Sequence, residues 1–483
     1  MRSIESWRLK TFSLRRGEGW FWWLSFFALL IEGTLFLTVA IAHAVYPGFT
    51  ETMEGDILQH IERAAHGQPI YPPPGAEYIA LTYMPLYYYL AAPFYVLFGD
   101  SLFGPRLLSI LATLGSLVWV ARITYRETHS LAAAMLAMAF FCAGYRIMDA
   151  SVFLVHPDPL LLFWVLTGYW FWAYGNTRRD DILWLLCFTL AFWTKQHGAF
   201  FFGWAVLYAL FFRANQPRSI MIVGILLGGP VAYFGLGHLL GERFFYHTLI
   251  APRRWEHNWW FSLRRMALVI ACFAPLTSVT LVAYGKETLR QRGWKPTRLL
   301  WFTLTCLATC AFTMTISGAS NNHYVPYQVL VAIILAIVCH GLATSTARVP
   351  LFLRVLLMAI ISSAVTFWAH TEYPHHDIPV FVPVVLGILA FVSLVLLRLP
   401  APLRGKTQAA VLILAQLAVD FYLPGRYLPS HGWTDGLAYL QSELKQLDAP
   451  VIWISYGNVP GDLTGTKLAR SPSWVALEDI ARQ

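Results

Sequence analysis

Charge is what this chain has least of. Only 13% of its 483 residues are Asp, Glu, Lys or Arg, whereas 57% are hydrophobic, and mean hydropathy is +0.53. That balance argues against a soluble domain and for a polytopic membrane protein. Motifs for soluble nucleotide enzymes are missing: there is no Walker A loop and no G-x-G-x-x-G fingerprint. The six cysteines all lie in apolar segments without ligand-like neighbours, which points to packing rather than disulfides or zinc. No heptad run, solenoid-period repeat or low-complexity tract is present. Net charge is +9, but the cations fall mostly between apolar segments, so topology accounts for them and no nucleic acid partner is expected. Aromatic residues are plentiful at 16%, as two interfacial belts require.

A membrane span needs about 20 apolar residues. Spans fall near 20–45, 103–123, 130–148, 155–174, 181–195, 197–213, 218–240, 264–284, 298–317, 324–342, 350–369, 378–398 and 408–423. The fifth and sixth are short and can be read as one broken hairpin. The expected fold is an all-α polytopic membrane bundle of about 13 transmembrane helices over residues 1–423. Its first outer loop, 46–102, carries interfacial helices. A small α/β outer segment follows at 424–483, with a helix near 433–447 and a strand near 450–455.

The distribution of Lys and Arg orients this layout. With the N-terminus inside, the inner loops hold Arg122, Arg126, Arg178, Arg179, Lys286, Arg290, Arg292 and others. Several outer loops have almost no cations. The exception is 241–265, where Arg243, Arg253, Arg254, Arg264 and Arg265 cluster on the wrong side. That cluster is either an untidy loop or an anion site. An odd number of spans places the C-terminus outside.

The residues able to carry chemistry map to the outer side. Glu54-Gly55-Asp56 follows the first span, where water and headgroups keep a carboxylate ionised. Ile57, Leu58 and Ile61 fall on one side of a short helix, expected to lie apolar side down along the interface. Asp56, His60 and Arg63 fall on another side. Tyr83-Met84-Pro85-Leu86-Tyr87-Tyr88-Tyr89 opens a second aromatic segment at headgroup level. A capped amphipathic anchor explains this loop as well as a catalytic one does. His156-Pro157-Asp158-Pro159 stands at the outer end of the fourth span. Its acid is either a helix cap or a second carboxylate facing Asp56, holding an acceptor or a divalent metal ion. Asp149 reads as a solvated loop acid. Lys195 in Thr194-Lys195-Gln196-His197-Gly198 either snorkels or binds a phosphate. Asn321-Asn322-His323-Tyr324 precedes the tenth span, and its polar groups need partners if buried. Arg253 and Arg254, beside Trp255, Trp259 and Trp260, suit a lipid phosphate or, equally, an anionic headgroup.

Taken together these pieces resemble the GT-C glycosyltransferases, membrane enzymes that include protein O-mannosyltransferases and aminoarabinose transferases. The resemblance rests on Glu54-Gly55-Asp56, Tyr83 to Tyr88, Leu97-Phe98-Gly99 and Gly104-Pro105-Arg106-Leu107-Leu108-Ser109. It also rests on His156-Pro157-Asp158-Pro159-Leu160, Thr194-Lys195 and His323-Tyr324-Val325-Pro326. It is strongest over residues 20–215. The resemblance implies polyprenyl-phosphate sugar donors and an Asp in the first outer loop as catalytic base. One departure stands out: the aminoarabinose transferases have a Lys directly before the proline, where this chain has Met84.

The expected activity is inverting transfer of a sugar from a lipid-linked donor to an acceptor hydroxyl of a glycan, lipid or protein. The expected location is the outer face of a bacterial inner membrane. Asp56 and Asp158 are the catalytic candidates and the candidate ligands for Mg or Mn. Lys195, Arg253 and Arg254 are the donor-phosphate candidates. Glu54, His60, Tyr83, His156, His323 and Tyr324 are the acceptor or substrate candidates. Two other classes compete: a flippase or secondary transporter, which predicts ionisable groups near mid-membrane and broken-helix repeats, and a non-catalytic assembly protein.

Overall fold

The computed structural model describes residues 19–344 apart from short stretches, the longest being 213–223 and 267–274, together with 401–422, 428 and 429. The spans expected at 350–369 and 378–398, the tail elements beyond 430 and Asp149 lie outside the described residues.

Helix α1 (Gly19–Val45) shows how the bundle is built. Trp23, Phe27, Leu30, Ile31, Leu37, Ile41 and Val45 are exposed along one side. Phe21, Ser25, Ala28, Glu32, Phe36, Val39 and Ala40 are buried along the other. Its 27 residues rise about 40 Å at 1.5 Å each, enough to cross a hydrocarbon core of about 30 Å. Then come α2 (Thr52–Ala65), α3 (Leu86–Leu97), α4 (Phe103–Thr128), α5 (Leu131–Ala143) and α6 (Asp158–Tyr174). They continue with α7 (Arg178–Thr194), α8 (Gly198–Phe212), α9 (Pro275–Arg292), α10 (Arg298–Thr313), α11 (Val325–Thr344) and α12 (Ala401–Asp420). Helices α1, α4 and the one ending at Thr344 are long and apolar enough to cross a membrane.

Local chemistry sets several boundaries. Ser130 caps α5 by accepting the Ala133 N–H at 3.3 Å. Thr177 and Asp180 form a reciprocal capping box at the start of α7. α1 packs on α5, α4 on α5 and α6, α6 on α7, and α7 on α8. α11 stands at the centre against α4, α5, α9, α10 and α12. Every side chain from Val325 to Ala336 is buried, as expected of a helix that is apolar all round.

Two glycines allow close crossings. A Cβ on Gly104 would sit 2.2 Å from the Phe94 carbonyl oxygen, where α4 touches the end of α3. A Cβ on Gly198 would sit 2.3 Å from the Ala191 carbonyl carbon, in the tight α7–α8 corner. The fifth and sixth spans are therefore two helices joined by Lys195-Gln196-His197. The described part of 218–240 is irregular, with π-helical Leu227–Val231 leading into a short helix, Ala232–Gly237. Gly228, Gly229 and Pro230 fall in that π turn, where Pro removes a backbone donor. No strand occurs among the described residues beyond one isolated bridge, His257 to Ile316.

The segment 46–102 departs from the amphipathic-anchor reading. Ile57, Leu58 and Ile61 do not face the membrane. They are buried in a second core with Tyr71, Tyr78, Tyr87 and Tyr88. Tyr87 and Tyr88, expected at headgroup level, are instead completely buried, and the Tyr87 hydroxyl finds a partner there. Tyr87 meets Ser109 Oγ at 2.9 Å, and Tyr78 donates to the Ile70 carbonyl at 2.7 Å. Tyr89 alone of Tyr87, Tyr88 and Tyr89 is exposed. Asp56 and His60, expected on a polar side of the helix, are 5% and 1% exposed.

Candidate active site

The site is assembled around a buried ion pair. Glu51 caps α2 by accepting the Met53 N–H at 2.8 Å, which sets Glu54 in the first turn. Arg106, in the first turn of α4, grips Glu54 with Nε at 2.8 Å and Nη2 at 2.7 Å. Its remaining N–H groups donate to the carbonyls of His43 (2.7 Å), Tyr46 (2.5 Å) and Gly48 (2.7 Å). All five guanidinium donors are thus used. Glu54 also accepts the backbone N–H of Thr50 and of Val155, both at 3.0 Å. Both side chains are completely buried. Burial works against the Glu54 carboxylate, but Arg106 and these hydrogen bonds outweigh it and hold its pKa below the ordinary value.

This pair ties together the end of α1, the start of α2, α4 and the segment entering α6. Asp56 lies two residues after Glu54, and Asp158 lies three after Val155. His60 completes the α2 side. Its Nδ1–H donates to the Asp56 carbonyl at 2.7 Å, and its Nε2 accepts the Leu81 N–H at 2.8 Å. Burial pushes its pKa down to about 3, so the ring stays neutral. Both ring nitrogens are engaged within the fold.

Asp158 opens α6 and is the centre of a second buried network. Lys195, at the end of α7, donates to both its oxygens at 2.9 and 3.0 Å. Asn322 Nδ2 donates to Oδ2 at 3.0 Å. His156 Nδ1 lies 2.5 Å from Oδ2, off the axis a hydrogen bond prefers. Asp158 and Lys195 are 5% and 1% exposed. The His323 ring lies tilted against that of His197, with ring centroids 5.0 Å apart. Its Nδ1 is buried with no hydrogen-bond partner among the described residues. Burial, and then Lys195, lowers the pKa of His197 to about 3.

Tyr83 joins the halves. The Lys195 ammonium lies 5.1 Å from the centre of its ring, and the His156 ring centroid is 6.3 Å away. Burial raises the pKa of its hydroxyl, and the charges of Asp158, Glu51 and Asp56 raise it further. Tyr324 is buried beside this region, in the short turn that carries Asn322.

The cations are not gathered as one group. Lys195 is engaged with Asp158, whereas Arg253 and Arg254 are exposed in the loop that follows Gly241. Arg254 and Arg243 lie over the Tyr246 ring at 6.0 and 5.8 Å. No contact among the described residues joins these arginines to Lys195. The loop itself docks on the site: the Arg243 N–H donates to the Tyr71 carbonyl at 3.1 Å. Gln196 bridges the Thr82 and Thr248 carbonyls.

A divalent metal does not fit this donor set. The oxygens of Asp158 already face an ammonium, an amide and an imidazole. No group of three or more His, Cys, Asp or Glu able to hold a metal occurs among the described residues.

Sequence reasoning met Arg106, Asn322 and Gln196 only inside longer motifs and did not single them out as site residues. A cation at the start of a span was the available signal for Arg106, since a charge there needs a partner. The five described cysteines are free and buried, as packing residues should be.

Comparison with known proteins agrees with this architecture. Residues 71–219 match the family model described as dolichyl-phosphate-mannose-protein mannosyltransferase. No curated protein sequence matches the chain. Among solved structures, ArnT from Cupriavidus metallidurans bound to undecaprenyl phosphate superposes with a TM-score of 0.61 at 14% identity. The match covers 96% of this chain and 88% of that one. Its apo form gives 0.58 at 15% identity, over 91% and 85% of the two chains. The chain is an integral membrane protein with the fold of the GT-C membrane glycosyltransferases.

Proposed function

We propose that this protein transfers a sugar from a polyprenyl phosphate to an acceptor hydroxyl, with inversion, at the extracytoplasmic face of a bacterial inner membrane. The observation that carries the reading is the Glu54–Arg106 latch. By binding the Val155 N–H, it holds the turn bearing Asp56 against the segment bearing Asp158. The mannosyltransferase family match over 71–219 and the likeness to a polyprenyl-phosphate-bound ArnT support the same chemistry.

In this reading Asp56 takes the acceptor proton as the hydroxyl oxygen forms its bond to the anomeric carbon. The bond from that carbon to the phosphate oxygen breaks, and the electron pair leaves on the lipid phosphate. Asp158, fixed by Lys195 and Asn322, positions the sugar or the acceptor together with His156, His323 and Tyr83. The leaving phosphate falls to the exposed Arg253 and Arg254, because the charge of Lys195 is matched by Asp158. No step passes through a metal. An apolar cavity of about 250 Å³ lies next to the Lys195 corner, lined by Phe192, Phe202, Val206, Gly228 and Pro230 among others. It suits isoprene units of the donor.

The test is transfer of labelled sugar from a defined polyprenyl-phosphate donor by purified protein, with the anomeric configuration of the product determined. Transfer with inversion supports the reading. Retention, or activity with a sugar nucleotide alone, contradicts it.

A further inference from the structure

The end of the bundle opposite Asp158 holds two arginines that have no anionic partner among the described residues. α4 reaches that end with Arg122 and Arg126, and α6 reaches it with Trp170 and Tyr174. The Arg122 guanidinium lies 5.2 Å from the ring centre of Trp119 and 5.1 Å from that of Trp170. Arg126 lies 5.9 Å from the ring centre of Tyr174. Both arginines are exposed, and neither makes a hydrogen bond or ion pair among the described residues. The nearby carboxylate of Glu127 accepts the Tyr174 hydroxyl at 2.5 Å instead. The rings hold the guanidinium planes in place while their N–H groups stay available, a geometry suited to phosphate oxygens.

Arg122 also ends an apolar stripe. Leu111, Leu114 and Val118 are exposed on α4 at 48%, 37% and 54%, and with Arg122 they recur at i, i+3, i+7 and i+11 on one helix face. An acyl chain lying along that stripe brings its headgroup phosphate to the guanidinium. The tryptophans mark the same headgroup level.

We propose that Arg122 and Arg126, with Trp119, Trp170 and Tyr174, bind the phosphodiester headgroup of an anionic phospholipid in the leaflet away from the Asp158 site. A free phosphate lacks the chain that would use the stripe, so the lipid is the better fit.

Native mass spectrometry of the full-length protein in micelles tests this, with titrations of phosphatidylglycerol, phosphatidylcholine and inorganic phosphate. Phosphatidylglycerol should bind at least tenfold more tightly than either of the others. Arg122→Gln and Arg126→Gln should each weaken it about fivefold, the effect of one cation near an anionic headgroup. Trp119→Leu with Trp170→Leu should weaken it about threefold with all charge retained, and this variant decides the matter if the arginine variants fail to fold. Arg178→Gln with Arg179→Gln, at the same level but outside the aromatic cradle, should change it less than twofold. The proposal is overturned if the Arg122 and Arg126 variants keep phosphatidylglycerol affinity within twofold. Equal loss from the Arg178 and Arg179 pair, or equally tight binding of inorganic phosphate, also overturns it.

Discussion

The two buried ion pairs of this protein differ in how completely they are satisfied. Arg106 and Glu54 are sealed: every guanidinium donor has an acceptor, and the carboxylate takes two backbone N–H groups besides. Lys195 and Asp158 are nearly as buried but less complete. His156 approaches Asp158 off axis, and the Nδ1 of neighbouring His323 has no partner among the described residues. A sealed pair behaves as a latch. A pair with unfilled hydrogen-bonding capacity beside it has somewhere for a ligand to act.

The largest effect expected from this contrast is on stability. Arg106→Ala strands the buried Glu54 carboxylate and three backbone carbonyls, and should destabilise the protein by about 3–5 kcal/mol. Thermal unfolding in detergent measures it. Replacing both partners with apolar residues of similar size, Arg106→Met with Glu54→Leu, should recover part of the loss. If Arg106→Ala unfolds like the native protein, the latch is not structural.

Lys195→Met should cost less, about 2 kcal/mol, because Asp158 keeps Asn322 and is slightly more accessible. It should abolish transfer at a temperature where the variant remains folded. A loss of stability as large as that of Arg106→Ala would erase the distinction between the pairs.

Acid sharpens the comparison through the α2 side of the site. His60 has its pKa lowered to about 3 by burial, and His247, close enough to influence it, is lowered to about 4 by burial and Arg243. An unfolded histidine protonates near 6.5, so below that pH the unfolded chain binds more protons than the folded one. Stability is therefore full above about pH 6.5 and falls with decreasing pH until about 3 to 4, by at most about 1.4 kcal/mol per pH unit for each residue. Unfolding measured from pH 7.5 to 5 should show this slope, reduced in His60→Asn. A slope of the opposite sign would contradict the neutral, doubly bonded His60.

The smallest expected effect is that of Tyr87→Phe, which removes one hydrogen bond to Ser109 and should destabilise by about 1 kcal/mol. The same measurement detects it.

Spans were legible wherever hydropathy alone decides. α1 starts and ends with the apolar run Gly19 to Val45, and α6, α8 and α11 follow theirs within a few residues. The irregular backbone at Gly228-Gly229-Pro230 was not legible, because its apolar composition is the same whether the helix is regular or broken. In the site, Asp56 and Asp158 stood out as acids at the outer ends of spans. The pairing of Lys195 with Asp158 depends on how α6 meets α7, and pattern does not encode that. Burial of α2 was missed for a related reason. A tyrosine reads as interfacial until a partner such as Ser109 is placed beside it.

The central claim is that Asp56 is the base of a lipid-linked sugar transfer. Asp56→Asn keeps the size of the side chain and removes its ability to accept the proton. Single-turnover transfer from a polyprenyl-phosphate sugar, measured beside donor affinity and thermal unfolding, tests it directly. The account predicts a rate lower by about a thousandfold, with donor affinity and unfolding temperature unchanged. Near-normal transfer by Asp56→Asn would contradict it.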